Sequence, residues 1–267
     1  MSIQLRHTLR QALATSDRPL FGGWITTGSP VVAEIMAGSG LDWVMIDMEH
    51  APNGLESVLA QLYSVSSYRV TPVVRVPASE TVIIKQVLDL GAQTILVPMV
   101  STVEQAREVA EAALYPPRGR RGVGSALARS ARWNRVDDYL NNSADHVSVF
   151  VQIETAEGVD NAVAIAQTAG IDGIFVGPSD LAASMGLLGQ QNHPDVVAAV
   201  KDTFVRVAST GKPVGVNAFD PQHADAYVKD GADFLLVGAD AALLARGSEA
   251  LADRYIDSSP QPASVSY

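Results

Sequence analysis

Glu154 and Asp180 close two successive apolar runs, Phe150-Val-Gln-Ile-Glu154 and Ile174-Phe-Val-Gly-Pro-Ser-Asp180, and Asp47, Glu49 and His50 close an earlier one. A carboxylate at the tail of an apolar run is costly to desolvate, so it usually holds a cation or moves a proton. As hard oxygen donors, Glu154 and Asp180 suit Mg²⁺ or Mn²⁺, with water and substrate completing the shell. The alternative is that Asp180 caps the helix after it and Glu154 pairs with an arginine. His50 is a general base, a metal ligand or a surface histidine; of five histidines it alone ends an apolar run, and imidazole suits proton transfer near neutral pH. Asp47 either orients His50 or caps the next helix, and Glu49 either joins them or turns to a rim salt bridge. Arg75, within Val73-Val-Arg-Val-Pro77, needs an anion: a keto acid or enolate, or an internal carboxylate such as Asp47. The set points to a metal-assisted lyase.

These groups need a scaffold that brings strand ends together. Short β-rich runs alternate with helical patterns eight times, the strands expected over 21–27, 43–48, 72–76, 94–99, 147–154, 173–176, 213–217 and 234–237. Continuous apolar runs of this length mark parallel strands buried on both faces. Gly40, Gly91, Gly170, Gly211 and Gly231 precede strands as helix C-caps. Eight βα units without a break in composition predict one α/β domain over 1–257, a (β/α)₈ TIM barrel, with a loose Ser- and Pro-containing tail over 258–267. Active sites of this fold lie at the C-terminal strand ends, where Asp47, Glu49, His50, Arg75, Gln152, Glu154, Asp180 and Asn217 all fall. Gln152 and Glu154, two apart on one strand, share a face.

Composition removes whole classes of function. The chain has 267 residues, 47% hydrophobic and 18% charged, enough apolar material for a large core. A net charge of −10 argues against nucleic acid. Zero cysteines exclude disulfides, thiolate zinc sites and a thiol nucleophile. No signal-like N-terminus and no apolar run of about 20 residues is present, so neither export nor a membrane is expected and the cytoplasm is the simplest location. Of four lysines, Lys85, Lys201 and Lys229 fall in helical segments and Lys212 precedes the seventh strand, so none is placed for a Schiff base. Gly122-Val-Gly124 lacks the third glycine of a dinucleotide fingerprint and follows no strand. Arg121, in a Pro- and Arg-rich turn, is a candidate to reach an anionic substrate. Asp89 sits in the last turn of a helix, the unfavourable end of the dipole; it is either a solvated helix-end acid or has a partner elsewhere.

Six ordered motifs sharpen this reading: Ile46-Asp-Met-Glu-His-Ala-Pro-Asn53, Val74-Arg-Val-Pro77, Leu96-Val-Pro-Met99, Tyr115-Pro-Pro-Arg-Gly-Arg-Arg-Gly-Val-Gly124, Val151-Gln-Ile-Glu-Thr155 and Val176-Gly-Pro-Ser-Asp-Leu181. Over about Phe21 to Leu251 the chain resembles the HpcH/HpaI aldolases. The resemblance implies a barrel of the phosphoenolpyruvate/pyruvate type and a class II pyruvate aldolase without an organic cofactor, cleaving 4-hydroxy-2-oxo acids to pyruvate and an aldehyde. It implies that Glu154 and Asp180 ligate Mg²⁺, Mn²⁺ or Co²⁺, that Gln152 and Arg75 hold pyruvate oxygens, and that the N–H groups of Ser179 and Asp180 receive its carboxylate. His50 would be the base, acting through a metal-bound water and supported by Asp47, with Asp89 reaching it from an adjacent subunit of a homo-hexamer whose last helix packs on a neighbouring barrel. Asn217 departs from an apolar residue frequent near the aldehyde, and Met48 from a frequent glycine. Other expectations are a related lyase acting on another dicarboxylic acid or a CoA thioester, and a non-catalytic barrel used for binding or assembly.

Overall fold

Eight parallel strands, Leu20–Ile25 (β1), Trp43–Asp47 (β2), Thr71–Arg75 (β3), Thr94–Val97 (β4), Ser148–Ile153 (β5), Gly173–Val176 (β6), Val214–Asn217 (β7) and Phe234–Ala239 (β8), pair in chain order and close on themselves through β8 and β1. The computed structural model describes residues 3–256; the tail expected at 258–267 lies outside them. Strands such as β2, β4 and β6 are buried along their whole length, as a sheet covered by helices on the outside and side chains within requires.

Aromatic rings fill the barrel interior where neighbouring strands carry glycine. The rings of Trp43, Phe150 and Phe175 lie 5.7, 5.3 and 5.9 Å from that of Phe234. A Cβ on Gly22 would meet the Trp43 ring at 2.4 Å, on Gly173 the Phe150 ring at 2.4 Å, and on Gly215 the Phe234 ring at 2.5 Å. Large and small residues from adjacent strands thus interlock into a packed centre.

One end of this barrel is plugged. Thr8 opens the helix Leu9–Thr15 with a capping box, buried Leu9 joins the interior cluster, and its N–H donates to Thr94 Oγ1 at 3.0 Å at the start of β4. Only the C-terminal mouth is left for chemistry. The five pre-strand glycines all have positive φ, from +74° to +104°; Gly91 and Gly231 directly follow the helix C-caps Leu90 and Asp230, whereas Gly40, Gly170 and Gly211 lie two or three residues beyond the C-caps of their helices and turn the loop toward the strand.

Strand β4 stops two residues short of its expected end. Met99 turns into the left-handed region, φ 58°, and its N–H donates to Glu154 Oε1 at 2.7 Å instead of to a strand. At the other extreme of the chain, the helix Asp240–Tyr255 buries only Asp240, while Leu243, Leu244, Leu251 and Tyr255 are each more than 60% exposed.

Candidate active site

Register builds the centre of the mouth. Asp47 and Arg75 are direct partners across β2 and β3, and Arg75 Nε and Nη2 each donate to Asp47, both at 2.8 Å. Arg75 Nη1 reaches Glu49 Oε2 at 2.7 Å, and its guanidinium lies 4.3 Å over the Trp24 ring. One buried cation is thus held by two carboxylates and an aromatic face, a fixed arrangement rather than a flexible arm. Of the two anions weighed for Arg75, the internal carboxylate is present. Glu49 points inward to this arginine, not to a rim salt bridge, because side-chain alternation ends with the strand and the turn after Asp47 sets its direction. Burial pushes the Glu49 carboxyl upward, with Arg75 opposing it.

Asp47 organises the turn that carries His50, but through backbone. Its carboxylate accepts the N–H of Glu49 at 3.0 Å and of His50 at 3.3 Å, and its carbonyl accepts from Asn53 Nδ2 at 2.6 Å. The His50 ring is exposed, 4.0 Å from Glu49.

Across the mouth, Glu154 is 2% exposed and has no arginine partner. Its carboxylate accepts Met99 N–H and Gln152 Nε2. Burial pushes it up to about 7, the two hydrogen bonds pulling down and Asp180 pushing up. Gln152 Oε1 is buried without a partner. Gly177 keeps the space beside this pair open: a Cβ there would sit 2.7 Å from Glu154 Oε2 and 2.9 Å from Gln152 Nε2. Pro178 starts the next helix, placing Ser179 and exposed Asp180 in its first turn; the Asp180 side chain does not cap it.

These elements line a cavity of about 380 Å³ that takes in Asp47, His50, Arg75, Gln152, Ser179, Asp180 and Asn217, with no lysine. Trp24 Nε1 donates to Asn217 Oδ1 at 2.8 Å, giving the β1–β7 side a polar edge. The donor set fits a hard divalent cation: the Glu154 carboxylate, buried with no cationic partner directly behind the cavity wall at Gly177, the Asp180 carboxylate on the wall itself, and the unpaired amide oxygen of Gln152. Among the described residues no three His, Asp or Glu gather as a cage, so water and substrate would complete the coordination.

Two expected groups are elsewhere. Asp89 ends the helix Thr81–Asp89 at the plugged end of its own barrel, where Arg121 Nη2 donates to it at 2.7 Å. It is therefore ion-paired rather than solvated. Arg121 is fully buried against this carboxylate and the Tyr115 ring, 4.6 Å away, and cannot meet a substrate at the mouth. Three groups escaped the sequence reading: Trp24, Met99 and Asp240. Asp240, at the end of β8, accepts the N–H and hydroxyl of Thr26 at 2.8 and 2.7 Å, and those of Thr27 at 3.0 and 2.8 Å. Burial works to raise its carboxyl, but these bonds prevail and hold it below the usual carboxylate value. An acid at a strand end, the pattern that singled out Asp47, was the available signal.

An eight-stranded barrel with paired carboxylates, an anchored arginine and an accessible histidine at its C-terminal mouth is the architecture of a carbon–carbon lyase. The chain belongs to the HpcH/HpaI aldolase/citrate lyase family, whose sequence model matches residues 20–247, and it is such a lyase. It is 49% identical over 259 residues to a hydroxypyruvate/pyruvate aldolase of Deinococcus radiodurans, covering 97% of this chain and 93% of that protein. It is 47% identical over 251 residues to a 4-hydroxy-2-oxo-heptane-1,7-dioate aldolase of Salmonella dublin, covering 94% and 95%. A crystal structure of a family member from Burkholderia cenocepacia superposes with TM-score 0.87 at 39% identity, covering 92% of this chain and 98% of that one.

Proposed function

We propose that the protein is a divalent-metal-dependent aldolase that reversibly cleaves 4-hydroxy-2-oxo acids, 4-hydroxy-2-oxoheptanedioate among them, into pyruvate and an aldehyde such as succinic semialdehyde. The observation that carries this is Glu154, buried without a cationic partner beside a cavity that also holds Asp180, Arg75 and His50. Glu154 and Asp180 hold the cation, Mg²⁺, Mn²⁺ or Co²⁺, which when bound polarises the C2 carbonyl.

The chain's own groups do the rest. The N–H groups of Ser179 and Asp180, in a first helical turn where such donors lack intrahelical partners, receive the substrate carboxylate, and Gln152 holds an oxo-acid oxygen. His50 takes the C4 hydroxyl proton. The C3–C4 bond breaks, its electron pair passes into the enolate of pyruvate, and the C4 carbon leaves as the aldehyde. Arg75, immobilised by Asp47 and Glu49, faces the enolate charge with little reorganisation. A proton returned to C3 gives pyruvate.

The exposed apolar face of Asp240–Tyr255 supports packing of that helix on a neighbouring barrel in a homo-hexamer, which offers Asp89 a route to the His50 of an adjacent subunit. Among the described residues no helix is long and apolar enough to cross a membrane, and a chain without cysteine suits a reducing cytoplasm. The similarity to a hydroxypyruvate/pyruvate aldolase, with the polar Trp24–Asn217 edge, favours a second reading in which hydroxypyruvate replaces pyruvate as the nucleophile.

The test is pyruvate release from 4-hydroxy-2-oxoheptanedioate by metal-stripped protein, before and after adding Mg²⁺ or Mn²⁺. Activity only with metal is the expected result. No pyruvate from this or related hydroxy-oxo acids, with metal shown to bind, rejects the substrate class. Hydroxypyruvate consumption with added aldehyde separates the second reading.

A further inference from the structure

The plugged end of the barrel carries a cluster of positive charge for which lyase chemistry has no use. A pocket of about 350 Å³ there is lined by Arg6, His7, Arg129 and Arg132 together with Tyr63 and Trp133, and none of its lining residues is an aspartate or glutamate. In a chain of net charge −10 this is a local reversal of sign. Among the described residues no carboxylate pairs with any of the three arginines.

Arg129 Nη1 and Arg132 Nη1 each lie 2.8 Å from the point where a Gly91 Cβ would stand, so the two are at most twice that far apart. Guanidiniums this close repel unless an anion sits between or beside them. Burial, and then the Arg129 charge, push Arg132 down to about 10, so it remains charged at neutral pH. The turn that presents them is held in an unusual form: Arg132, Trp133 and Asn134 have φ of 49°, 56° and 64°, three consecutive non-glycine residues in the left-handed region.

A purely structural role accounts for part of this. Arg129 Nη1 donates to the helix-end carbonyl of Leu90 at 3.0 Å, Arg132 to the carbonyl of Arg129, and Arg6 to those of Ser66 and Tyr68. Carbonyls at helix ends carry only a partial negative charge, and each guanidinium has five N–H donors. Most of the donor capacity and nearly all of the charge are left over. Arg129 also stacks 4.5 Å over the Tyr63 ring, which fixes its plane.

We propose that this pocket binds a small multivalent oxyanion, a phosphoryl compound or a polycarboxylate, through Arg129 and Arg132 with Arg6 and His7 at its edge. Planar guanidiniums, Arg129 fixed by the Tyr63 ring and a carbonyl and Arg132 by a carbonyl, are preorganised for bidentate oxyanion contacts. The site is separate from the mouth and independent of which substrate the mouth takes.

Crystals of the full chain soaked in selenate test this directly. The expected result is an anomalous peak within hydrogen-bond reach of Arg129 and Arg132; a peak only near Arg75, or none, overturns the proposal. In solution, replacing chloride by sulfate at constant ionic strength is expected to raise Tm for the wild type, with less than half that gain in R129Q/R132Q. Equal gains overturn it, and if the double variant does not fold the selenate result decides alone. Titrations with inorganic phosphate and with citrate, calorimetrically and with pyruvate and Mg²⁺ occupying the mouth, distinguish the two sources. The better ligand is expected to bind at millimolar affinity or tighter and to lose at least tenfold in R129Q/R132Q. Dissociation constants above about 50 mM for both mean binding at crystal concentration only and reject the site.

Discussion

Two arginine sites at opposite ends of the barrel are built in opposite ways. At the mouth, Arg75 is met by Asp47 and Glu49 and stacked on Trp24. At the plugged end, Arg129 and Arg132 crowd together with backbone carbonyls and the Tyr63 ring but no carboxylate. The first arrangement carries its own counter-charge and stays in place whether or not a ligand is bound. The second leaves its counter-charge to the solution. A cation that must stabilise a transient anion benefits from being immobile; a cation that must recruit a stable one benefits from being unmatched.

The sharpest way to break the contrast is Arg75→Met. Removing it strands the buried Asp47 carboxylate and the partly buried Glu49, and losing one member of such a set is expected to cost on the order of 3–5 kcal/mol. Urea unfolding should show that loss, and pyruvate release should fall by roughly 10²–10³-fold. Arg75→Lys, which keeps the charge without the fork, should recover much of the stability and little of the turnover. If Met at this position leaves both unchanged, Arg75 neither holds the mouth together nor faces the enolate.

Glu154→Gln comes next. The folded chain holds a proton on Glu154 up to about 7, against 4.5 for an ordinary glutamate. Between those values the folded state binds the extra proton, so this group favours folding as pH falls from 8 to 5.5. Metal-free wild type should therefore lose about 2 kcal/mol relative to Glu154→Gln as pH rises from 5.5 to 8, read from unfolding free energies at the two pH values. Parallel profiles for the two proteins would sink the assignment. The same substitution should abolish activation by Mg²⁺ or Mn²⁺.

Smaller effects refine the picture. Asp240→Ala removes the acceptor for five hydrogen bonds, four of them from Thr26 and Thr27, and should destabilise by about 2–4 kcal/mol, checked by chemical denaturation. Leu244→Asp on the exposed helix should shift light scattering toward smaller species without changing far-ultraviolet dichroism. Trp24→Phe, which frees Asn217, should alter the aldehyde KM by only about tenfold or less; a change confined to kcat would place this pair at the bond being broken instead.

How legible the molecule was depends on the range of the interactions involved. Parallel strands buried on both faces announce themselves as apolar runs, so all eight were placed within three residues at each end. Glu154, Asp180, Arg75 and Asp47 stood out because a charge in such a run is conspicuous. The direction of Glu49 was not readable, because alternation no longer applies two residues past the strand. Arg121, in a Pro- and Arg-rich turn, read as a candidate to reach an anionic substrate, whereas only its distant partners Asp89 and Tyr115 show that it is buried. Nothing in its own run singled out Trp24; only Asn217, on β7, accepting its N–H marks it as part of the mouth. Met99 depended on a backbone angle that no residue pattern encodes.

The seam between β1 and β8 has a further consequence. Asp240 anchors Thr26 across 214 residues, and Asn217 reaches Trp24 across 193. Contacts of such sequence separation form late and slowly. During synthesis, the loop after β1 has no anchor until the eighth strand has left the ribosome, so a nascent chain carries every proposed site side chain from Asp47 to Asp180 well before it has a complete mouth. An aldolase made this way is switched on by its last strand, and truncation after β7 should leave a chain with the right residues and no activity.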